Sequence, residues 1–581
     1  MKKLFVFLFC LLWAASAAAT VSTVEIIDES LYKDVLKNAK ITEYDVSRYG
    51  RIFKAIKDNN YEKADKLILK LNSDALMGHV LAQKYLTTDY NTSYEELQKW
   101  LKKYTYLPQY EAIKALSVIK NPKYKKTKTK KQQTKTKHKI YASYEWYRND
   151  YAKLKSADRK YVKDNVYDFL VAIRKTDNKT ASEIMNDYKF RMTIPDKNYD
   201  GMSATLAASY FYEEKYEQAL QWTRKAIRRS KEPTAAWFGG MSAWKMKNYK
   251  TAASLFGQLA GFENDDKWLL ASGAYWAYRA NLKLGKTKTA MAYLRKAATY
   301  ERTFYGILAK AQLGRPIDYD WRIVPHFNSL KTDEYKNELL KSPTIRRAIL
   351  LIKAGEIDLA EADLRKHYKK LTTKQKELVM FISSQYSLAN LSYLIANGLK
   401  DYKKRRNYDG FLYPYPDWEP IDGWKINQSW IWALTRQESL FNHTVKSHAG
   451  ACGLMQIMPN TAANVTKDIE YKKGCSLLFD KMNNLTIGQN YVDILLNDEN
   501  VGNNLFLLAA SYNGGPHNVK KWLDKNNYEN DPLLFVEMIP WRETRLYVKK
   551  VVANYWIYNS RRGLKSKSLE QLKHSQWPEM D

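Results

Sequence analysis

The chain has 581 residues, of which 45% are hydrophobic, 14% aromatic and 27% charged, with only 23 Gly and 15 Pro. Global disorder, collagen and coiled coil are therefore excluded, and at roughly 150 residues per domain the length suggests about two to four domains. Lys and Arg outnumber Asp and Glu by 95 to 62, a formal net charge of +33. Such a field attracts polyanions (nucleic acid, anionic lipid or an acidic wall polymer), unless the Lys-rich composition merely keeps the surface solvated.

Residues 1–19 read as a bacterial secretory signal peptide. Lys2 and Lys3 form a positive start, Leu4–Ala19 is largely apolar, and small residues from Ala15 to Ala19 close the run. No later stretch reaches the roughly 20 apolar residues of a membrane span, so no integral membrane segment is expected in the mature chain. The expected location is the periplasm, and export removes most of the case for nucleic acid as a partner. Cys10 leaves with the signal peptide. Cys452 and Cys475 remain, an even pair bound for an oxidising compartment. A disulfide between them would contribute roughly 3 kcal/mol; two unpaired buried thiols are the alternative. The eight His residues show no HxxxH spacing and the cysteines no CxxC, so no metal and no other cofactor is expected.

Residues 20–330 read as helix after helix. Tyr216, Ala219 and Leu220 recur as Tyr249, Ala252 and Ala253, and more loosely around Ala290. The Ala-to-Ala spacings, 252 − 219 = 33 and 290 − 252 = 38, lie near the period of about 34 of tetratricopeptide hairpins. Such units bury their faces only against neighbours and stack into a superhelix. Residues 121–139 interrupt the pattern with nine Lys and no acid, a composition that cannot pack and reads as a disordered insertion. Residues 331–408 read as a helical linker domain with a hairpin over 349–364 turning at Gly355. A basic run (Lys403–Arg406) and the Pro- and aromatic-rich Phe411–Pro416 connector follow. Residues 409–562 form a block of one-domain size, and 563–581 a tail.

The unusual local sequences lie in that block. Ile431, Leu434 and Glu438 share one face of a helix over Trp430–Ser439. A carboxylate on an apolar stripe is costly to ionise, the property a general acid working near neutral pH requires; a buried ion pair with Arg436 is the competing reading. Ser447 and the run Ala449–Gly453 bring backbone that can approach a ligand closely. Met455, Gln456 and Met458 follow, Gln456 offering both a donor and an acceptor, while the methionines alone would read as core. Leu505–Tyr512 is an apolar helix broken at Asn513-Gly514-Gly515-Pro516, so Tyr512 and Asn513 project from a helix end. Glu543 opens a further amphipathic helix that carries Tyr547.

Together these blocks resemble the soluble lytic transglycosylases. The resembling motifs are Glu438-Ser439, Gly453-Leu454-Met455-Gln456-Ile457-Met458-Pro459, Tyr512-Asn513-Gly514, and Glu543-Thr544-Arg545 with Tyr547. The resemblance implies an all-α protein: a superhelical ring of helical hairpins, a small helical linker domain and a goose-lysozyme-like catalytic domain. It implies Glu438 as the single catalytic acid/base, with Ser447, Met455, Gln456, Met458, Tyr512, Asn513, Glu543 and Tyr547 lining the glycan cleft. The implied substrate is peptidoglycan glycan, cleaved between N-acetylmuramic acid and N-acetylglucosamine with formation of 1,6-anhydromuramoyl ends. The chain departs from the family at His443, where Pro is common, at Cys452, where a small residue is usual, and at Ser511, where Ala is usual. A hydrolytic muramidase on the same fold, or a non-catalytic scaffold that binds wall glycan, are the alternative readings.

Overall fold

A computed structural model describes residues 27–122, 154–264, 266–323, 332–399, 408–525 and 527–581. The expected signal peptide and nearly all of the Lys-rich segment lie outside the described residues. Among the described residues every extended element is helical, and the only strand-like pairings are the bridges Lys446–Cys452, Cys452–Ile457 and Asn504–Glu579. The all-α class is thus the one observed. No described helix is long and apolar enough to cross a membrane.

The chain divides into two compact units, Met1–Lys130 with Asp320–Asp417, and Lys131–Tyr319 with Trp418–Asp581. In the first, Leu97, Trp100, Tyr104, Leu107 and Ile113 build a buried cluster with Ala82 and Tyr85. Gly78 makes room for it: a Cβ there would stand 2.5 Å from Leu107 and 2.6 Å from Tyr104. The Trp100 indole instead donates to the Gly78 carbonyl at 2.9 Å. The Pro343–Lys353 and Ile357–His367 helices form the hairpin, with Gly355 at φ 84° in its turn. Asp363 of that hairpin is fully buried and accepts two bonds from Arg347, at 2.7 and 3.0 Å. His79 lies 4.0 Å from Asp363, and burial pushes its imidazole down to about 4 against the pull of that carboxylate.

In the second unit two kinds of helix alternate. Asp196–Tyr212, Pro233–Lys245 and Lys267–Lys283 are buried on nearly every side, and Tyr216–Ser230, Tyr249–Ala260 and Thr287–Ala298 bury one face each. Ala219, Ala252 and Ala290 are all fully buried at the crossings. Tyr216 packs on Phe211 and Tyr249 lies edge-on to Trp244, with ring centroids 5.7 and 5.2 Å apart. Each repeat tyrosine therefore seals against the end of the preceding helix.

Within the same unit the Gln428–Glu438 helix is interior, its Trp430, Ile431, Trp432 and Leu434 almost wholly buried. It packs against the long Arg542–Arg561 helix, as does Leu505–Gly514. Lys549 of the long helix donates to both oxygens of buried Glu537, at 2.9 and 3.0 Å. Tyr305 donates to the same carboxylate at 2.7 Å and accepts from the Trp276 indole at 2.9 Å. Phe304 stacks on Trp556 with centroids 5.1 Å apart. These contacts hold the long helix against the repeat helices.

Candidate active site

Glu438 is the last residue of the Gln428–Glu438 helix, whose first turn is capped by Asn427 accepting from the Ser429 amide at 2.9 Å. The chain turns away at once through Leu440 and Phe441, both left-handed at φ 51° and 65°. That conformation costs a side-chain-bearing residue about 1–2 kcal/mol. Burial of Phe441, whose ring packs against Trp432 and Trp418, offsets it. The carboxylate is thus left half-buried at a helix end on a fixed backbone.

Tyr547 donates to Glu438 Oε1 at 2.5 Å from the Arg542–Arg561 helix. Burial, then the Glu438 charge, push the Tyr547 phenol well above the usual tyrosine range. Tyr512 is raised for the same two reasons, followed by Tyr491. Both hydroxyls therefore stay protonated and donate. Arg436, the competing partner suggested by the sequence, donates to Asn554 at 3.1 Å.

Tyr512 and Asn513 do not end their helix: it runs to Gly514, and Gly515 at φ 85° supplies the break. The Tyr512 hydroxyl donates to the Met455 carbonyl at 2.8 Å. Asn513 Oδ1 accepts from Thr544 Oγ1 at 2.6 Å, joining this helix end to the first turn of Arg542–Arg561. Glu543 in that turn is exposed, well placed for the positive helix end.

The loop carrying the remaining candidates is knotted around Asn484. That side chain is fully buried, accepts from the Met455 amide at 2.8 Å, and donates to the Cys452 and Leu478 carbonyls at 3.1 and 2.8 Å. Gly453, at φ 78°, must be glycine, because a Cβ would stand 2.2 Å from Asn484 Nδ2. Gln456 is left-handed at φ 49° and its Nε2 donates to the Val445 and Gly453 carbonyls. Its amide nitrogen thus holds the loop. Met455 is fully buried with its thioether seated over Gly488, where a Cβ would lie 2.1 Å from Sδ, so it meets the site through its carbonyl. Met458 is 39% exposed. Ser447 closes the preceding turn by accepting from the Ala451 amide at 2.9 Å. Cys452 and Cys475 are joined in a disulfide.

Two contributors lie outside every motif of the sequence, Asn484 and Tyr491, whose ring lies 5.5 Å from that of Tyr512; Thr544 lies within one, with no role of its own assigned there. The available signal was Asn484 with Gly488 one turn later, a polar residue and a notch on one helix face. Among the described residues no cluster of three or more His, Cys, Asp or Glu is placed to hold a metal ion. Arg542, Arg545, Leu546 and Lys549 line a cavity of about 750 Å³ with Trp237 and Trp268.

Residues 419–535 match the model of the transglycosylase SLT domain, the segment that holds Glu438, the Asn484 loop and the Tyr512 helix. The soluble lytic murein transglycosylase of Escherichia coli K12 is 31% identical over 295 residues, which are 50% of this chain and 43% of that protein. Over these residues the chain is similar to the soluble lytic transglycosylases. A putative soluble lytic murein transglycosylase of Haemophilus influenzae is 29% identical over 291 residues, 49% of this chain and 46% of that one. The aligned stretches thus span under half the length of these curated relatives. Among solved structures, the 70 kDa soluble lytic transglycosylase SLT70 of Escherichia coli superposes with a TM-score of 0.53 at 17% identity, covering 90% of this chain and 97% of that one. An inactive mutant of the lytic transglycosylase Slt of Pseudomonas aeruginosa gives 0.51 at 16% identity, covering 95% and 91%. The likeness to these two structures is one of fold.

Proposed function

We propose that this protein is a lytic transglycosylase that cleaves the β-1,4 bond between N-acetylmuramic acid and N-acetylglucosamine in peptidoglycan, acting in the periplasm after export. The observation that carries the reading is the half-buried Glu438, inside the segment that matches the transglycosylase domain, held by the hydroxyl of Tyr547 at 2.5 Å from beyond the end of that segment.

Ordinary glycosidases use two carboxylates, an acid and a nucleophile or base. No Asp or Glu lies within ten residues of Glu438 on either side, and Glu543 is exposed on another helix. One carboxyl suffices if the substrate supplies the rest. Protonated Glu438 donates to the glycosidic oxygen and that bond to C1 breaks. The muramoyl 2-acetamido oxygen stabilises the developing cation. Glu438, now a carboxylate, takes the proton of the muramoyl C6 hydroxyl as its oxygen bonds to C1. The product carries a 1,6-anhydro ring, no water is consumed, and Glu438 ends protonated as it began. Holding the C6 hydroxyl near C1 exploits intramolecular effective molarity. The Tyr547 and Tyr512 hydroxyls remain donors through both proton transfers and fix the carboxyl and the loop beside it.

Glu438→Gln keeps the size of the side chain and removes the titrating proton. Release of soluble muropeptides from purified sacculi is expected to fall at least about a thousandfold, with the melting temperature unchanged. Mass analysis of wild-type products separates the two chemistries on this fold: anhydro ends are lighter than reducing ends by one water. A Glu438→Gln variant that cleaves at the wild-type rate refutes the assignment.

A further inference from the structure

Cys452 and Cys475 are not a remote staple. Cys452 is fully buried and exchanges both backbone bonds with Ile457, 3.0 Å each way, so it forms one side of the turn that contains Met455 and Gln456. Its carbonyl is also a target of Asn484. Cys475 starts the opposite strip: its carbonyl accepts from the Leu478 amide at 2.9 Å, and the Leu478 carbonyl accepts from Asn484 at 2.8 Å. The disulfide and Asn484 therefore tie the same two pieces of chain together, one covalently. The strip around Cys475 is built of short 3-10 turns, with Ile469 67% and Leu477 43% exposed; besides the disulfide and Asn484 it is held by Asn483, which accepts from the Tyr471 hydroxyl at 3.0 Å and donates to the Leu477 carbonyl at 2.8 Å, and by His443 Nδ1, 2.8 Å from the Phe479 carbonyl. Across the turn, the Met455 carbonyl receives the Tyr512 hydroxyl, and Tyr512 feels the charge of Glu438.

We infer that the Cys452–Cys475 disulfide is a positioning bond for the Met455–Gln456 turn, so that turnover depends on its oxidation. The inference rests on the transglycosylase reading of the site and adds a requirement to it. Reduction by a dithiol breaks the one S–S bond, leaves two thiols on the protein and joins the two sulfurs of the reductant. Formation reverses this and needs a disulfide donor in the compartment where the protein matures. Released from Cys475, the turn keeps Asn484 but loses its covalent link. The Met455 carbonyl then no longer presents a fixed acceptor to Tyr512. A displacement of this kind lowers the rate while the helical fold stays in place.

The test compares oxidised wild-type protein, the same preparation reduced with dithiothreitol, and the Cys452→Ala/Cys475→Ala variant, on purified sacculi. Reduced wild type and the variant are expected to lose roughly tenfold in kcat/KM, the variant being indifferent to reductant. Removing the reductant and reoxidising should restore the wild-type rate. Amide exchange at Cys452 and Ile457 is expected to speed up on reduction while helical circular dichroism is unchanged. Faster exchange with an unaltered rate of cleavage would leave the bond purely structural and overturn the inference, as would no change in either. If the double variant fails to fold, reversible reduction of the wild type decides alone. An oxidised wild type that releases no muropeptides sinks the transglycosylase reading instead, a distinct result; the positioning claim then stands or falls on whether reduction alters Tyr512 side-chain NMR shifts.

Discussion

The hydroxyl of Tyr547 and the carboxylate of Glu438 meet at 2.5 Å although 109 positions separate them in the chain. One sits at the last turn of an interior helix and the other near the start of a long helix packed on it, so the packing of two helices sets the geometry of the acid. Removing the donor tests this coupling. Tyr547→Phe is expected to lower kcat about a hundredfold, the low end of the range for one preorganised donor, with KM little changed. Steady-state release of muropeptides measures both. A variant with unchanged kcat would show that the bond is incidental.

Asn484 is the knot of the adjoining loop, and its loss leaves the Met455 amide and the Cys452 and Leu478 carbonyls without their partner. Asn484→Ala should cost about 2–4 kcal/mol in denaturant unfolding of the second unit, and Asn484→Asp, which keeps only acceptors, should cost nearly as much. Equal midpoints for wild type and both variants would contradict the role.

Lys549 and Glu537 form a buried ion pair with side chains 7% and 0% exposed. Burial pulls the Lys549 ammonium below the usual lysine range and the Glu537 charge works against that. Lys549→Met strands a buried carboxylate and should destabilise by about 3–5 kcal/mol, whereas Lys549→Met with Glu537→Gln should recover most of it. Thermal melts of the three proteins check the order.

In the first unit the pH response follows from His79, whose imidazole is held down to about 4 by burial, with Asp363 opposing and Arg347 reinforcing the shift. The unfolded chain binds this proton near 6.5 and the native one does not. Stability is therefore whole above 6.5 and falls as pH drops toward 4, by roughly 3 kcal/mol at the full shift. Hydrogen exchange of the Met77–Leu86 amides, corrected for intrinsic rates, should show opening rise across that window. A flat response would place the proton elsewhere.

Much of the site was legible because its chemistry is local. Glu438 at a helix end, Tyr512 and Asn513 before a glycine break, and Tyr547 four positions beyond Glu543 are each short patterns. The repeat tyrosines and alanines were legible for the same reason. What stayed hidden depends on partners far along the chain. Lys549 and Glu537 look like surface charges until Tyr305, 232 positions from Glu537, is seen to donate to that carboxylate. The helices Asp196–Tyr212 and Pro233–Lys245 carry no apolar stripe because they are buried all round. Gln456 read as a ligand contact, yet its amide nitrogen spends its bonds on two carbonyls of its own loop, a use that backbone at φ 49° makes available.

Asn513 and Gly514 make the dipeptide that, in an open chain, cyclises most readily to a succinimide and then yields isoaspartate. Ring closure requires the Gly514 nitrogen to swing onto the Asn513 side-chain carbon. Here both residues belong to the last turn of a helix, and the Asn513 amide is pinned by the Thr544 hydroxyl. This pair can therefore age only when that turn opens, so the slow build-up of isoaspartate in stored protein would act as a clock for how often this helix end comes undone.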